Sequence, residues 1–281
     1  MALSSSHTKR IITALLLLPL LVLAITLRGW FEFALLSAIA AGGLWEFYGM
    51  FWTGGRHLPL KVAGLVLGTL ILLAGKWNQP GLILTALVAA FWISNLWFLK
   101  RYSQHPEDQS EEYSYGLASV FISGLLYVPL LLQFALGFER MEIALVLLAV
   151  FASDTGAFYV GSLIGGPKVW PMVSPKKTWA GSLGGMASSM LVCLIAGAVD
   201  EYWLAGAGAG RPWWMWTLLG IGLNISSQFG DFFESALKRR QNVKDSGKML
   251  PGHGGILDRI DSLLLAVASY AGLDALFNFF R

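Results

Sequence analysis

Apolar residues fall in long blocks along this chain, each bounded by charge, proline or glycine. Blocks close to the roughly 18–20 residues that cross a bilayer as helix predict transmembrane segments. Nine are expected, at about residues 11–27, 31–51, 60–74, 81–99, 115–137, 141–163, 179–199, 213–233 and 256–280. The sixth is interrupted by the polar run Ser153-Asp154-Thr155-Gly156. A polar connection carrying Glu107, Asp108, Glu111 and Glu112 follows the fourth, and the eighth runs directly into a charged stretch, Gln228–Asp261. The first block, preceded by His7, Lys9 and Arg10, resembles a signal peptide. It is long, however, and no small-x-small site precedes Arg28-Gly29, so an uncleaved first span is expected.

Composition agrees with this pattern. Of 281 residues, 56% are hydrophobic and 13% charged, far from the soluble average. The expected fold is an all-α polytopic membrane bundle, with N-terminal helices over residues 1–140 and a catalytic region over 141–281. Placing the N-terminus in the cytoplasm and the C-terminus outside puts fifteen of the twenty Lys and Arg inside. These include the two basic groups Lys168–Lys177 and Lys238–Lys248, while Arg28, Lys76, Arg140, Arg211 and Arg281 remain outside. The net charge of +3 is too small to suggest a nucleic-acid partner. Cys193, the single cysteine, cannot form an intramolecular disulfide and reads as a buried thiol. Trp30, Trp52, Trp77, Trp170, Trp203, Trp213 and Trp214 lie near block ends, as interfacial anchors do. Gly156, Gly161, Gly181, Gly184 and Gly185 read as points of close helix packing, and the Gly206–Gly210 run as a loop.

The charged stretch is where chemistry is expected. Asp231, Glu234 and Ser235 share one helix face, and Asp258 and Asp261 share another. If the Pro251-Gly252-His253-Gly254-Gly255 turn brings these helix ends together, their carboxylates suit a hard cation such as Mg²⁺, which takes oxygen ligands and leaves positions for phosphates. Asp258 and Asp261 could instead simply favour a helix N-terminus and pair with Arg239 or Arg259. Between the carboxylates, Lys238, Arg239, Arg240, Lys244 and Lys248 with Gly247, Gly252, Gly254 and Gly255 suit a polyphosphate. A polybasic patch for anionic lipid explains the cations, but not the carboxylates, His253 or the glycines. Asp154 lies inside a span, where an ionisable residue is a functional candidate. The Ser174-Pro175-Lys176-Lys177-Thr178-Trp179 segment suits a phospholipid head group, although lysines that only set topology look the same. Glu46 is also within a span and has no partner nearby in sequence. His7, His57 and His105 read as exposed and incidental.

The run Ser235-x-Leu237-Lys238-Arg239-x4-Lys244-Asp245-x-Gly247-x2-Leu250-Pro251-x-His253-Gly254-Gly255-Ile256-x-Asp258-Arg259-Ile260-Asp261 resembles the signature of the phosphatidate cytidylyltransferases. The segments Ser153-Asp154-Thr155-Gly156-Ala157 and Ser174–Trp179 resemble that family's other motifs, with Ala180 standing where the family often carries Glu or Gln. The resemblance implies the reaction of CTP with phosphatidic acid to give CDP-diacylglycerol and pyrophosphate, at a cytoplasmic face of the inner membrane. It implies a magnesium centre on Asp231 and Asp258 with Asp261 close by, and leaves open whether a second cation shares it. It also implies a homodimer. Lys238, Arg239 and Lys244 are then expected to act with the metal. Asp154, Lys176, Lys177, Ser235, Asp245, His253, Gly254, Gly255 and Arg259 are expected to hold substrate. The residues alone leave three alternatives: a CTP-dependent lipid kinase, a cytidylyltransferase for isoprenoid-ether lipids, and an anion transporter with a phosphate gate.

Overall fold

The computed structural model describes residues 19–52, 57–104, 115–201 and 210–280. Among these there are helices and two isolated bridges but no strand. The helices are α1 (residues 19–27), α2 (Gly29–Phe51), α3 (Leu58–Lys76), α4 (Pro80–Gln104), α5 (Gly116–Tyr127), α6 (Pro129–Leu132), α7 (Arg140–Ile164), α8 (Trp179–Val199), α9 (Trp213–Arg240) and α10 (Leu257–Phe277). A 3₁₀ turn, Gln133–Gly137, follows α6. Seven segments are long and apolar enough to cross a membrane: α2, α3, α4, the stretch Gly116–Gly137, α7, α8 and α10. The multi-pass character read from the hydropathy is thus present in the helices. Residues 11–18 of the first expected span, the acidic connection after α4 and the run 206–209 lie outside the described residues, as do His7, Lys9, Arg10, His105 and Trp203.

Two expectations change at the level of local structure. The polar run Ser153–Gly156 does not interrupt its helix, because α7 continues through it to Ile164. The fifth segment, by contrast, is broken at Val128, where the following Pro129 has no N–H to continue the helical ladder. The Arg28-Gly29 pair, at φ 49° and 65°, separates α1 from α2 with two left-handed residues in succession.

The described chain forms two compact units. The first contains the residues up to Gly137 together with Val243–Arg259. Its core surrounds Tyr48, which is fully buried, stacks on Trp52 and Phe121, and donates its hydroxyl to the Phe121 carbonyl at 2.9 Å. Gly64 and Gly124 leave room for that ring; a Cβ on either would come within 2.6 Å of it. Trp52 and His57 are buried in the same core, so His57 is not the exposed residue the sequence suggests, and Trp52, although at the end of α2, packs on protein rather than facing an interface.

The second unit contains Phe138–Asn242 and the residues from Ile260 onward. Here α8 packs on α7 and α9 through small residues. Gly161 and Gly181 face one another, with a Cβ on either only 3.3 Å from the other's Cα. A Cβ on Gly156 would meet Ser188 Oγ at 2.1 Å and the Gly184 carbonyl at 2.8 Å. Backbones this close gain dispersion contacts that hydrocarbon chains cannot supply, which is how helices associate in lipid. Cys193 is buried in α8, as expected.

Candidate active site

In the first unit, the glycine-rich loop is folded around two carboxylates. Asp258, in the first turn of α10, accepts three hydrogen bonds through Oδ2: from the Ser246 amide at 2.9 Å, the Ser246 hydroxyl at 2.9 Å and the Gly255 amide at 2.8 Å. A carboxylate at a helix N-terminus satisfies amides that have no intrahelical partner. Glu46 reaches the same loop from α2, accepting the Leu257 amide at 2.9 Å, and the Ser246 hydroxyl lies 3.4 Å from the same oxygen.

The glycines follow from this arrangement. A Cβ on Gly247 would lie 2.1 Å from Glu46 Oε1, and one on Gly255 would lie 2.4 Å from Glu46 Oε2. Gly254 has φ +82°, and a Cβ there would lie 2.8 Å from Asp258 Oδ2. The turn closes between Leu250 and Gly254, whose amide and carbonyl bond at 2.9 Å. Lys244, Asp245, Lys248, His253 and Arg259 line a cavity of ≈ 660 Å³ on this loop. The backbone is therefore fixed from within, while the cations project outward.

In the second unit, Thr178 caps α8 by accepting the Gly181 amide at 3.1 Å, and Lys176 and Lys177 lie just before that cap. Lys177 forms an ion pair with Asp231 Oδ2, and Ser235 donates to Asp231 Oδ1 at 3.2 Å. The Lys177 ammonium also sits 4.7 Å from the Phe232 ring centroid, and Phe232 meets Trp170 edge to face. Asp154, Lys176, Lys177 and Asp231 line one cavity of ≈ 390 Å³, whose apolar wall includes Ala157 and Phe158.

A polar ladder runs from the cavity lining into the buried interior of this unit. Ser182 donates to Gln228 Oε1 at 2.6 Å, Gln228 donates to Asn224 Oδ1 at 3.0 Å, and Asn224 donates to Ser153 Oγ at 2.8 Å. Glu234, fully buried, pairs with Lys238 one turn along α9. Asp261 is 8% exposed, accepts the Ser262 amide at 2.7 Å, and lies within electrostatic reach of Asp231 and Lys238. Arg239 is exposed in the last turn of α9, where a cation complements the helix dipole. The chain then leaves the helix through Asn242 at φ 54°.

Among the described residues, no three His, Cys, Asp or Glu side chains form a group that could hold a metal ion. The expected trio of Asp231, Asp258 and Asp261 is therefore not a pre-assembled cage, and Asp258 Oδ2 is engaged by its own loop. Magnesium does not require a cage, since it binds through one or two carboxylates and completes its shell with water and substrate phosphate. The neighbouring Asp231 and Asp261 carboxylates fit that donor set.

Of the residues expected to serve the site, Asp154, Lys176, Lys177 and Asp231 share one cavity. Lys244, Asp245, His253, Gly254 and Arg259 share another, and Gly255 is bonded to Asp258 beside it. Missed were Ser246, Ser182, Gln228 and Asn224, small polar residues that carry no charge to mark them. The partners of Glu46 were missed too, since they lie about two hundred residues away.

Seven segments long and apolar enough to cross a membrane, with a charged cavity in the second unit and a carboxylate-fastened glycine loop in the first, define a multi-pass membrane protein with charged sites. The chain belongs to the cytidylyltransferase family, whose model matches residues 8–277. It is 40% identical over 152 residues to a Brucella suis protein named phosphatidate cytidylyltransferase, covering 54% of this chain and 53% of the relative. A Bacillus subtilis protein of the same name is 40% identical over 129 residues, covering 46% and 45%. A Rickettsia felis protein, also so named, is 30% identical over 217 residues, covering 75% of this chain and 89% of the relative. In the first of these comparisons the chain spans about half the length of the relative.

Proposed function

We propose that this protein transfers the cytidylyl group of CTP to phosphatidic acid, releasing pyrophosphate and leaving CDP-diacylglycerol in the membrane. The observation that carries this reading is the cavity shared by Asp154, Lys176, Lys177 and Asp231. It sets ammonium groups beside an apolar wall of membrane-crossing helices, which is what a phosphate on an acyl-chain anchor requires. The names of the relatives point to the same substrate pair.

In the proposed step, an oxygen of the lipid phosphate attacks the α-phosphorus of CTP. A new P–O bond forms, and the bond from the α-phosphorus to the bridging oxygen breaks, with the electron pair leaving on pyrophosphate. The nucleophile is already ionised, so the task is alignment and neutralisation rather than proton removal. Lys176 and Lys177 hold the lipid phosphate. Lys244, His253, Arg259 and the loop amides hold the triphosphate, while Lys238 and Arg239 balance charge nearby. Asp231 and Asp261 would hold magnesium, which when bound supplies Lewis-acid neutralisation of the phosphates, while Asp258 shapes the loop that meets the triphosphate. We place the reaction at the cytoplasmic face of the inner membrane, on the distribution of Lys and Arg between alternate connections.

The test is direct. Purified protein given labelled CTP, phosphatidic acid and Mg²⁺ yields a lipid-soluble cytidine product. Release of CDP with a phosphorylated lipid would instead establish a CTP-dependent kinase, and turnover only with an ether lipid would change the acceptor.

A further inference from the structure

Glu46 is a carboxylate in the middle of an apolar helix, 4% exposed, and it carries no part of the reaction proposed above. Burying such a group is costly unless it is hydrogen-bonded, and one kept inside a span is a functional candidate. Its Oε2 accepts the amide of Leu257, the first residue of α10, at 2.9 Å and lies 3.4 Å from the Ser246 hydroxyl. Its Oε1 is buried against Gly247, where a Cβ would approach it to 2.1 Å, and Gly255 presses on Oε2 in the same way. One turn earlier on α2, Gly42 makes room for Ile256, with a Cβ there coming within 2.3 Å of the Ile256 side chain. Three glycines on two distant segments are thus required by the seating of this loop on α2, two of them by Glu46 and one by Ile256.

We propose that Glu46 is a positioning residue for the loop 244–257: it acts as an N-cap supplied from another helix and sets the conformation in which Lys244, His253 and Arg259 meet a nucleoside triphosphate. Asp258 fastens the loop from within its own segment, through the Ser246 and Gly255 amides. Glu46 fastens it to the helix bundle of the first unit. The two carboxylates meet at the Ser246 hydroxyl, so the loop is clamped on both sides of that serine. As an assignment of substrate role this rests on the cytidylyltransferase reading; as an assignment of loop conformation it does not.

The experiment separates the two. In the full-length protein in detergent micelles without substrate, hydrogen exchange at the amides of residues 246–257 is compared between wild type and Glu46→Ala. The expected result is exchange at least tenfold faster in that segment, with α2 itself unchanged, as follows from loss of a charge-assisted hydrogen bond. Kinetics then read the consequence. KM for CTP rises about tenfold or more, while KM for phosphatidic acid stays within twofold, and Glu46→Gln, which keeps one acceptor oxygen, recovers part of the loss. Gly247→Ala reads the contact from the loop side. It should impair wild type strongly but add little to Glu46→Ala, because the carboxylate it strikes is gone. If Glu46→Ala does not accumulate, Gly247→Ala and Glu46→Gln carry the same measurements. Unchanged exchange at 246–257 in these variants overturns the proposal. Faster exchange with no turnover in wild type leaves the clamp standing and removes the nucleotide reading.

Discussion

Lys177 and Asp231 form an ion pair in the wall of the cavity that also contains Asp154 and Lys176. The two residues come from different polar segments, one preceding α8 and the other near the end of α9. Their side chains are about a quarter to a third exposed, so the pair is partly solvated and open to exchange with an incoming anion or cation. One of the two lysines assigned to the lipid phosphate in the proposed reaction is therefore held in place by a proposed metal ligand before substrate arrives.

Removing either lysine should tell them apart. Lys177→Ala deprives Asp231 of its partner and should lower kcat/KM for phosphatidic acid by at least about tenfold. Lys176→Ala, with its ammonium exposed, should raise KM for the lipid severalfold and leave KM for CTP unchanged. Steady-state kinetics in mixed micelles, varying each substrate in turn, measures both. A rise in KM for CTP instead would move Lys176 to the nucleotide.

Metal removal gives a second outcome. EDTA should stop turnover and Mg²⁺ should restore it. Asp231→Asn and Asp258→Asn should each abolish turnover at saturating Mg²⁺. The two should differ in a protease assay, because the Asp258 carboxylate alone holds three donors of the glycine loop. Cleavage within residues 243–257 is expected to accelerate in Asp258→Asn and not in Asp231→Asn.

Gly254 combines a left-handed backbone with a carboxylate lying where a Cβ would project. Gly254→Ala must strain the turn and displace Asp258 Oδ2 together. An activity loss of about a hundredfold is expected, on the order of 3 kcal/mol, with little change in melting temperature because the loop is local. Activity and thermal unfolding measured on the same preparation check it.

The helix contacts of the second unit predict a stability effect without a catalytic residue. Gly156→Ala drives a methyl into Ser188 and the Gly184 carbonyl, and should destabilise the protein by about 1–3 kcal/mol. Gly81→Ala, where nothing lies within 4 Å of the new Cβ, should leave stability unchanged or slightly raised. Thermal melts of both variants in one detergent make the comparison.

Much of this was legible in the sequence, for identifiable reasons. Trp179–Val199 is bounded by Thr178 and Asp200, and its helix coincides with the apolar block. The small residues of α7 and α8 mark their own contact by spacing. Asp154 stood out because charge is rare in an apolar run. What sequence could not supply were pairings between distant segments. The partners of Glu46 lie near residue 250, and nothing in either segment's periodicity specifies the other. His57 and Trp52 were misread because a position near a helix end says nothing of what folds over it. The polar run in α7 interrupts the hydropathy but not the backbone bonding, which hydropathy does not report. Asn224 of α9 takes up Ser153 of that run from the side.

That last contact bears on how the chain enters the bilayer. Among the described residues, α9 is not one of the helices apolar enough to cross alone. Its Asn224, Gln228 and Asp231 are satisfied by Ser153, Ser182 and Lys177, side chains that lie earlier in the chain on α7, on α8 or just before α8. A helix of this composition is a poor client for insertion one segment at a time, since in bare lipid those groups would have only one another and Ser235 to bond to, and the Asp231 charge would have no cation. It is best served when α7 and α8 are already beside it as it leaves the translocation channel. The order of synthesis, with α9 last of the three, supplies that condition.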